Sequence, residues 1–111
     1  MAFQEKQLAQ ARENSTNAVS VYSPAASTTA IIKMLTVCNQ SGGSVTFRLF
    51  VDDDGTTYDE TTAIYYDVSV PPGVPFERNV FIPMNNSSGN IAYRSSVANA
   101  LTITLFGAEI T

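Results

Sequence analysis

The chain has 111 residues, which fits one domain burying roughly 65% of the surface its unfolded form would expose. Hydrophobic residues make up 44%, charged residues 14% against a usual ~25%, and the net charge is −4. No basic run, no apolar run near the roughly 20 residues of a membrane span and no apolar stretch in "MAFQEKQLAQARENST" occurs, which argues against nucleic acid, a bilayer or a secretory signal.

Residues 1–15 read as an N-terminal arm, extended or partly helical. Good helix formers dominate "AFQEKQLAQARENS", but Phe3, Leu8 and Ala11 make no continuous stripe. Such a segment gains order by docking on a partner, so its removal is expected to spare the fold and weaken assembly. Residues 16–111 read as a β-sandwich domain.

Within that domain, Asn17–Ser23 alternates, and Ala30–Asn39 is a nearly continuous apolar run suited to a sandwich centre. Cys38 reads as a small buried hydrophobe; as the one cysteine it has no partner for an internal disulfide. After the turn "QSGGS", Ser44–Asp52 sets Val45, Phe47, Leu49 and Val51 on one face, with Thr46, Arg48 and Phe50 on the other. Thr62–Val70 sets Ile64, Tyr66, Val68 and Val70 together, and "PPGVP" then breaks the ladder. Phe76–Ile82 aligns Phe76, Val80 and Ile82. Ile91–Ser96 is short. Ala100–Ile110 aligns Leu101, Ile103 and Leu105, with Phe106 opposite.

The pattern is all-β: an antiparallel two-sheet sandwich of about seven to eight strands with the arm, jelly-roll or immunoglobulin-like. The immunoglobulin framework Cys…Trp…Cys is missing, since there is no tryptophan.

The chemistry-bearing residues are few. There is no histidine, so no Ser–His–Asp or Cys–His arrangement can form within the chain. An enzyme is not expected, nor a cofactor. The densest charged stretch is "DDDGTTYDE", with Asp52, Asp53, Asp54, Asp59 and Glu60. Asp52, Asp53, Asp54 and Asp59 are the calcium candidates. However, three consecutive aspartates do not match the alternating ligand spacing of a calcium loop. A hairpin turn with a solvated acidic tip is the simpler expectation. Phe50, Tyr65, Phe81 and Phe106 fall on the parity opposite the core faces, and Tyr58 lies in the loop. With Phe3 and Leu8 of the arm they are the interface candidates.

The motifs "VYSPAASTTAIIKMLTVCN", "FRLFVDDDGTTYD", "IPMNNSSGNIAYR" and the final "NALTITLFGAEIT" resemble those of small β-sandwich structural proteins of tailed bacteriophages, over residues 16–111. The resemblance implies a virion protein made in the host cytoplasm, of the capsid decoration (cement) type. It also implies the major capsid protein and copies of itself, as a homotrimer, for partners. A tail- or fibre-associated module contacting tail proteins or host glycans is the alternative. A calcium-dependent adhesion domain is a third reading.

Overall fold

In a computed structural model, which describes residues 2–111, eight strands form: β1 (Phe3–Arg12), β2 (Val19–Tyr22), β3 (Thr29–Asn39), β4 (Val45–Asp52), β5 (Ala63–Val70), β6 (Phe76–Met84), β7 (Asn90–Ser95) and β8 (Leu101–Ile110). They build two four-stranded sheets, β1-β8-β3-β6 (sheet A) and β2-β7-β4-β5 (sheet B), with antiparallel neighbours. Every antiparallel pair β1/β8, β2/β7, β3/β6 and β4/β5 is present, as when one long antiparallel ribbon is rolled up. That order is a jelly roll, and it decides between the two sandwich topologies that the strand pattern leaves open.

The core lies between the sheets. Ile32, Leu35 and Val37 of β3 and Leu101, Ile103 and Leu105 of β8 meet Val45, Phe47 and Leu49 of β4 and Ile91 and Tyr93 of β7. The expected faces of β4, β6 and β8 hold.

Four expectations change. The segment expected as an arm is a strand: Phe3–Arg12 pairs with β8 from Phe3↔Ile110 to Arg12↔Thr102 (Met1 lies outside the described residues). Its alternation is hidden because Leu8 is an extra residue between the pairs Gln7↔Phe106 and Ala9↔Leu105. Leu8 and Ala9 therefore both pack against the core.

In β5 the expected face is wrong by one residue over its first half. Asp67 takes a left-handed backbone, φ 53°, and the register slips between Phe47↔Val68 and Leu49↔Tyr65. Tyr65 thus turns inward, while Ile64 and Tyr66 are exposed. Tyr65 joins Phe76 and Phe47, with ring centroids 5.4 and 6.0 Å away.

Cys38 is exposed, opposite Thr102; its neighbours Val37 and Asn39 are the buried residues. Burying Asn39 is tolerated because its amide donates to the Gly43 and Val70 carbonyls, at 2.8 and 2.7 Å. Phe50 keeps its expected outward parity but is covered within the chain by the loop that follows its own strand.

A line of irregularities crosses sheet A. Lys33 is extra in β3 between Ile32↔Gly107 and Met34↔Phe106, one step along β8 from the Leu8 bulge of β1, which lies on the other side of Phe106. Between the same β3 residues, β6 carries both Val80 and Phe81. The strands approach so closely here that a Cβ on Gly107 would run into the Ile31 carbonyl oxygen. Bulges bend strands and sharpen their twist, so sheet A is kinked along this line.

Candidate interaction surfaces

The kink shapes the outer face of sheet A. Because Lys33 is bulged, Lys33 and Met34 both turn outward, next to Phe106 of β8 and Phe81 of β6. Phe81 is 74% exposed and Phe106 37%. Ile31 continues the patch, lying between Ala108 and Pro83 in the ladder. Phe3, 57% exposed, stands at the β1 end of this face, with the Lys33 ammonium 5.5 Å from its ring centroid. Lys33 also pairs with Glu5 at 3.1 Å. Three of the interface candidates, Phe3, Phe81 and Phe106, therefore share one face. Ile31 and Met34 belong with them, a grouping that the long apolar run of β3 conceals.

The outer face of sheet B is different. Phe50 is 2% exposed although it points away from the core, because the β4–β5 loop folds over it. The Tyr58 ring lies 6.3 Å from that of Phe50 and forms part of the cover. Phe50 is thus a buried anchor for the loop, not a surface residue, and Leu8 and Tyr65 face the inside. Beyond Phe50 on the same face, Arg48 grips Asp67 through two bonds, Nε–Oδ1 at 2.7 Å and Nη2–Oδ2 at 3.1 Å. Its guanidinium lies 3.9 Å from the centre of the Tyr66 ring. Arg94 of β7 is directly opposite Arg48.

The acidic stretch is organised by its own backbone. Asp52 accepts the amides of Thr57 at 2.8 Å and Asp54 at 3.2 Å, and these bonds hold its carboxyl below the usual range. Asp59 accepts the Thr61 hydroxyl and amide, with the same effect. Asp53 and Asp54 are exposed at the tip. Among the described residues, no group of three or more His, Cys, Asp or Glu is gathered where it could hold one metal ion. The stretch is a hairpin loop stapled by two of its aspartates.

A mouth opens at one end of the sandwich, with about 270 Å³ of space lined by Thr29, Asp53, Pro83, Met84 and Asn85. Asp53 is the one carboxylate among these residues. No helix long and apolar enough to cross a membrane is present among the described residues.

No protein-family profile and no curated protein matches the chain. Among solved structures, it is similar to a structure of infectious bursal disease virus, Gx strain, at 10% identity and a TM-score of 0.46, over 97% of this chain and 30% of that one. A structure of the Gt strain of the same virus is similar at 13% identity and a TM-score of 0.37, over 97% of this chain and 29% of that one. The chain spans about 30% of the length of the first of these chains.

Proposed function

We propose that this protein is a non-enzymatic structural component of a virion, of the head-decorating (cement) kind. It binds the assembled shell through the outer face of sheet A and acts by burying that face across shell subunits, with the major capsid protein and copies of itself as partners. The observation that carries this reading is the gathering of Phe3, Phe81 and Phe106 on one outer face, joined by Ile31, Met34 and Pro83. An isolated exposed aromatic needs no explanation, but a connected apolar face on a small domain marks a contact surface. Jelly rolls recur in viral shells as well as in lectins, so the fold agrees with the role without proving it. The resemblance to phage structural proteins supplies the virion context and the homotrimer.

The alternative, a tail- or fibre-associated glycan binder, needs an open aromatic platform. Tyr66 is the exposed tyrosine on sheet B, and one face of its ring is taken by Arg48. Sheet A does offer open rings, Phe81 and Phe106, but they stand among Ile31, Met34 and Pro83, which suits an apolar protein contact better than a sugar, and cement is favoured on that ground.

The test is retention on particles that lack the native copy. Wild-type protein should bind at a copy number comparable to that of the major shell protein. Phe81→Asp combined with Phe106→Asp should stay folded and fail to bind. Retention of the double variant, or a copy number far below that of the shell protein, sinks the cement reading.

A further inference from the structure

The mouth at the end of the sandwich draws on both sheets. β3 begins there at Thr29, β6 ends there with Pro83 and Met84, Asn85 follows, and the β4–β5 loop contributes Asp53. The β4–β5 and β6–β7 loops that frame it are fixed against each other. Gly89 lies so near Asp53 that a Cβ there would stand 2.5 Å from the Asp53 carbonyl oxygen. The Asn90 side-chain amide donates to the Gly55 carbonyl at 2.9 Å, and the Ser23 hydroxyl donates to the Gly89 carbonyl at 2.5 Å. The rim also adjoins the face proposed to bind the shell. Pro83 stands beside Ile31 in the ladder, and Thr29 shares the outward side of β3 with Ile31, about 7 Å along the strand.

The chemistry of the lining selects a ligand. Asp53, Thr29 and Asn85 bring side-chain oxygens from three separate segments, while Pro83 and Met84 are apolar. Asp53 is exposed and takes part in none of the ion pairs among the described residues. Asp52 beside it is committed to the Thr57 and Asp54 amides. None of the six Lys and Arg of the chain lines the mouth, so a cation has to come from outside. A calcium ion takes six to eight oxygens, often with several carboxylates, and one carboxylate is too few. A guanidinium gains from an aromatic face to stack on, and no aromatic ring lines the mouth. A lysine suits each part of it. The compact ammonium has three donors for the three oxygen-bearing side chains, and its aliphatic stem can lie on Pro83 and Met84. The space, about 270 Å³, falls below the roughly 300–1,000 Å³ of ordinary small-molecule pockets and suits a single side chain.

We propose that the mouth receives a lysine side chain of the shell protein, its ammonium against Asp53, Thr29 and Asn85 and its stem over Pro83 and Met84. The inference rests on the cement reading and adds to it the chemistry of the partner. An apolar face gives a shell contact its area but little direction. One charge-paired side chain at the rim of that face fixes the register of docking and selects the partner.

Two measurements on the full chain test it, in about 50 mM NaCl to limit screening. The first is an NMR titration with N-acetyl-lysine methylamide, which should shift the Thr29, Asp53 and Asn85 amide signals saturably. N-acetyl-norleucine methylamide, which lacks the ammonium, should bind about three- to fivefold more weakly, and Asp53→Asn should weaken the lysine probe by a similar factor. The second is retention on particles that lack the native copy, where Asp53→Asn should loosen binding by about three- to fivefold. Circular dichroism checks the fold, which this change should spare because Asp52 and Asp59, not Asp53, staple the loop. The proposal is overturned if the lysine probe leaves those signals unmoved, or if the norleucine probe or N-acetyl-arginine methylamide binds as tightly. It is also overturned if Asp53→Asn is retained on particles like wild type, a result that leaves the cement reading standing. Wild-type protein that is not retained at all sinks the cement reading and this proposal with it.

Discussion

The Tyr22 hydroxyl donates to Glu109 Oε2 at 2.5 Å, and Lys6 reaches Oε1 of the same carboxylate at 2.7 Å. Tyr22 belongs to β2 in sheet B, while Glu109 and Lys6 belong to β8 and β1 in sheet A, so one carboxylate ties the two sheets and the terminal strand together. Burial and the neighbouring Glu109 carboxylate push the phenol well above its ordinary range. Tyr22→Phe removes the hydroxyl and keeps the ring. We expect a loss of about 1–2 kcal/mol, typical of a hydrogen bond to a charged group that is partly solvated, measured by urea unfolding. A neutral result would show that this bond adds nothing to the packing between the sheets.

Acid should unfold the protein through the same groups. Lys6 and then Tyr22 hold Glu109 below the usual carboxylate range, Arg48 does so for Asp67, and loop amides and hydroxyls do so for Asp52 and Asp59. A carboxyl with a depressed folded pKa contributes stability that is present above its unfolded value, about 4, and is lost as pH falls through the folded value. The melting temperature should therefore be flat between about pH 5 and 7 and fall below about pH 4. Glu109→Gln should flatten part of that fall; a curve identical to wild type would remove Glu109 from the account.

Core and surface phenylalanines should separate cleanly. Phe47 is 1% exposed and meets the Phe76 ring edge-on at 5.1 Å, so Phe47→Ala should cost about 3–5 kcal/mol. Phe81, at 74% exposure, should change monomer stability by less than about 0.5 kcal/mol when cut to alanine. Equal costs in chemical unfolding would mean that the sheet A patch is sealed within the monomer and offers no docking face.

Deleting residues 2–12 should destabilise the domain, contrary to what the composition of the segment suggests. β1 is paired along its whole length with β8, and Leu8, Ala9 and Ala11 cover the core. Beyond the strand, the Glu13 amide donates to the Tyr93 hydroxyl at 2.9 Å, and the Glu13 carbonyl accepts the Asn99 amide at 2.8 Å. We expect a fall in melting temperature of at least about 10 °C, since a loss of 1 kcal/mol shifts a domain of this size by roughly 4–8 °C. A truncated protein that melts like the full chain would make β1 a detachable arm after all.

Strands of regular alternation are legible in the amino-acid order. In β4 and β8, Val45, Phe47, Leu49, Leu101, Ile103 and Leu105 announce both the strand and the face it buries, because period two is a local property of the pleat. The outward Phe81 and Phe106 follow from the same rule. The acidic turn is legible as well, since aspartates beside a glycine cap backbone amides locally.

The bulges and the strand pairing escape such a reading. An extra residue at Leu8 and at Lys33, and the left-handed turn at Asp67, each break the alternation. No residue type there is diagnostic, so the alternation of β1 is masked, and Tyr65 and Tyr66 exchange faces. The burial of Phe50 depends on a loop folding back over its strand, and the facing of Arg48 and Arg94 depends on β7 lying beside β4. These are contacts between residues far apart in the chain. Most of the strand-forming segments, and the apolar faces of the regular ones, are local properties of the amino-acid order. Strand order and register then decided which side chains meet, because those are settled by packing the whole sandwich at once.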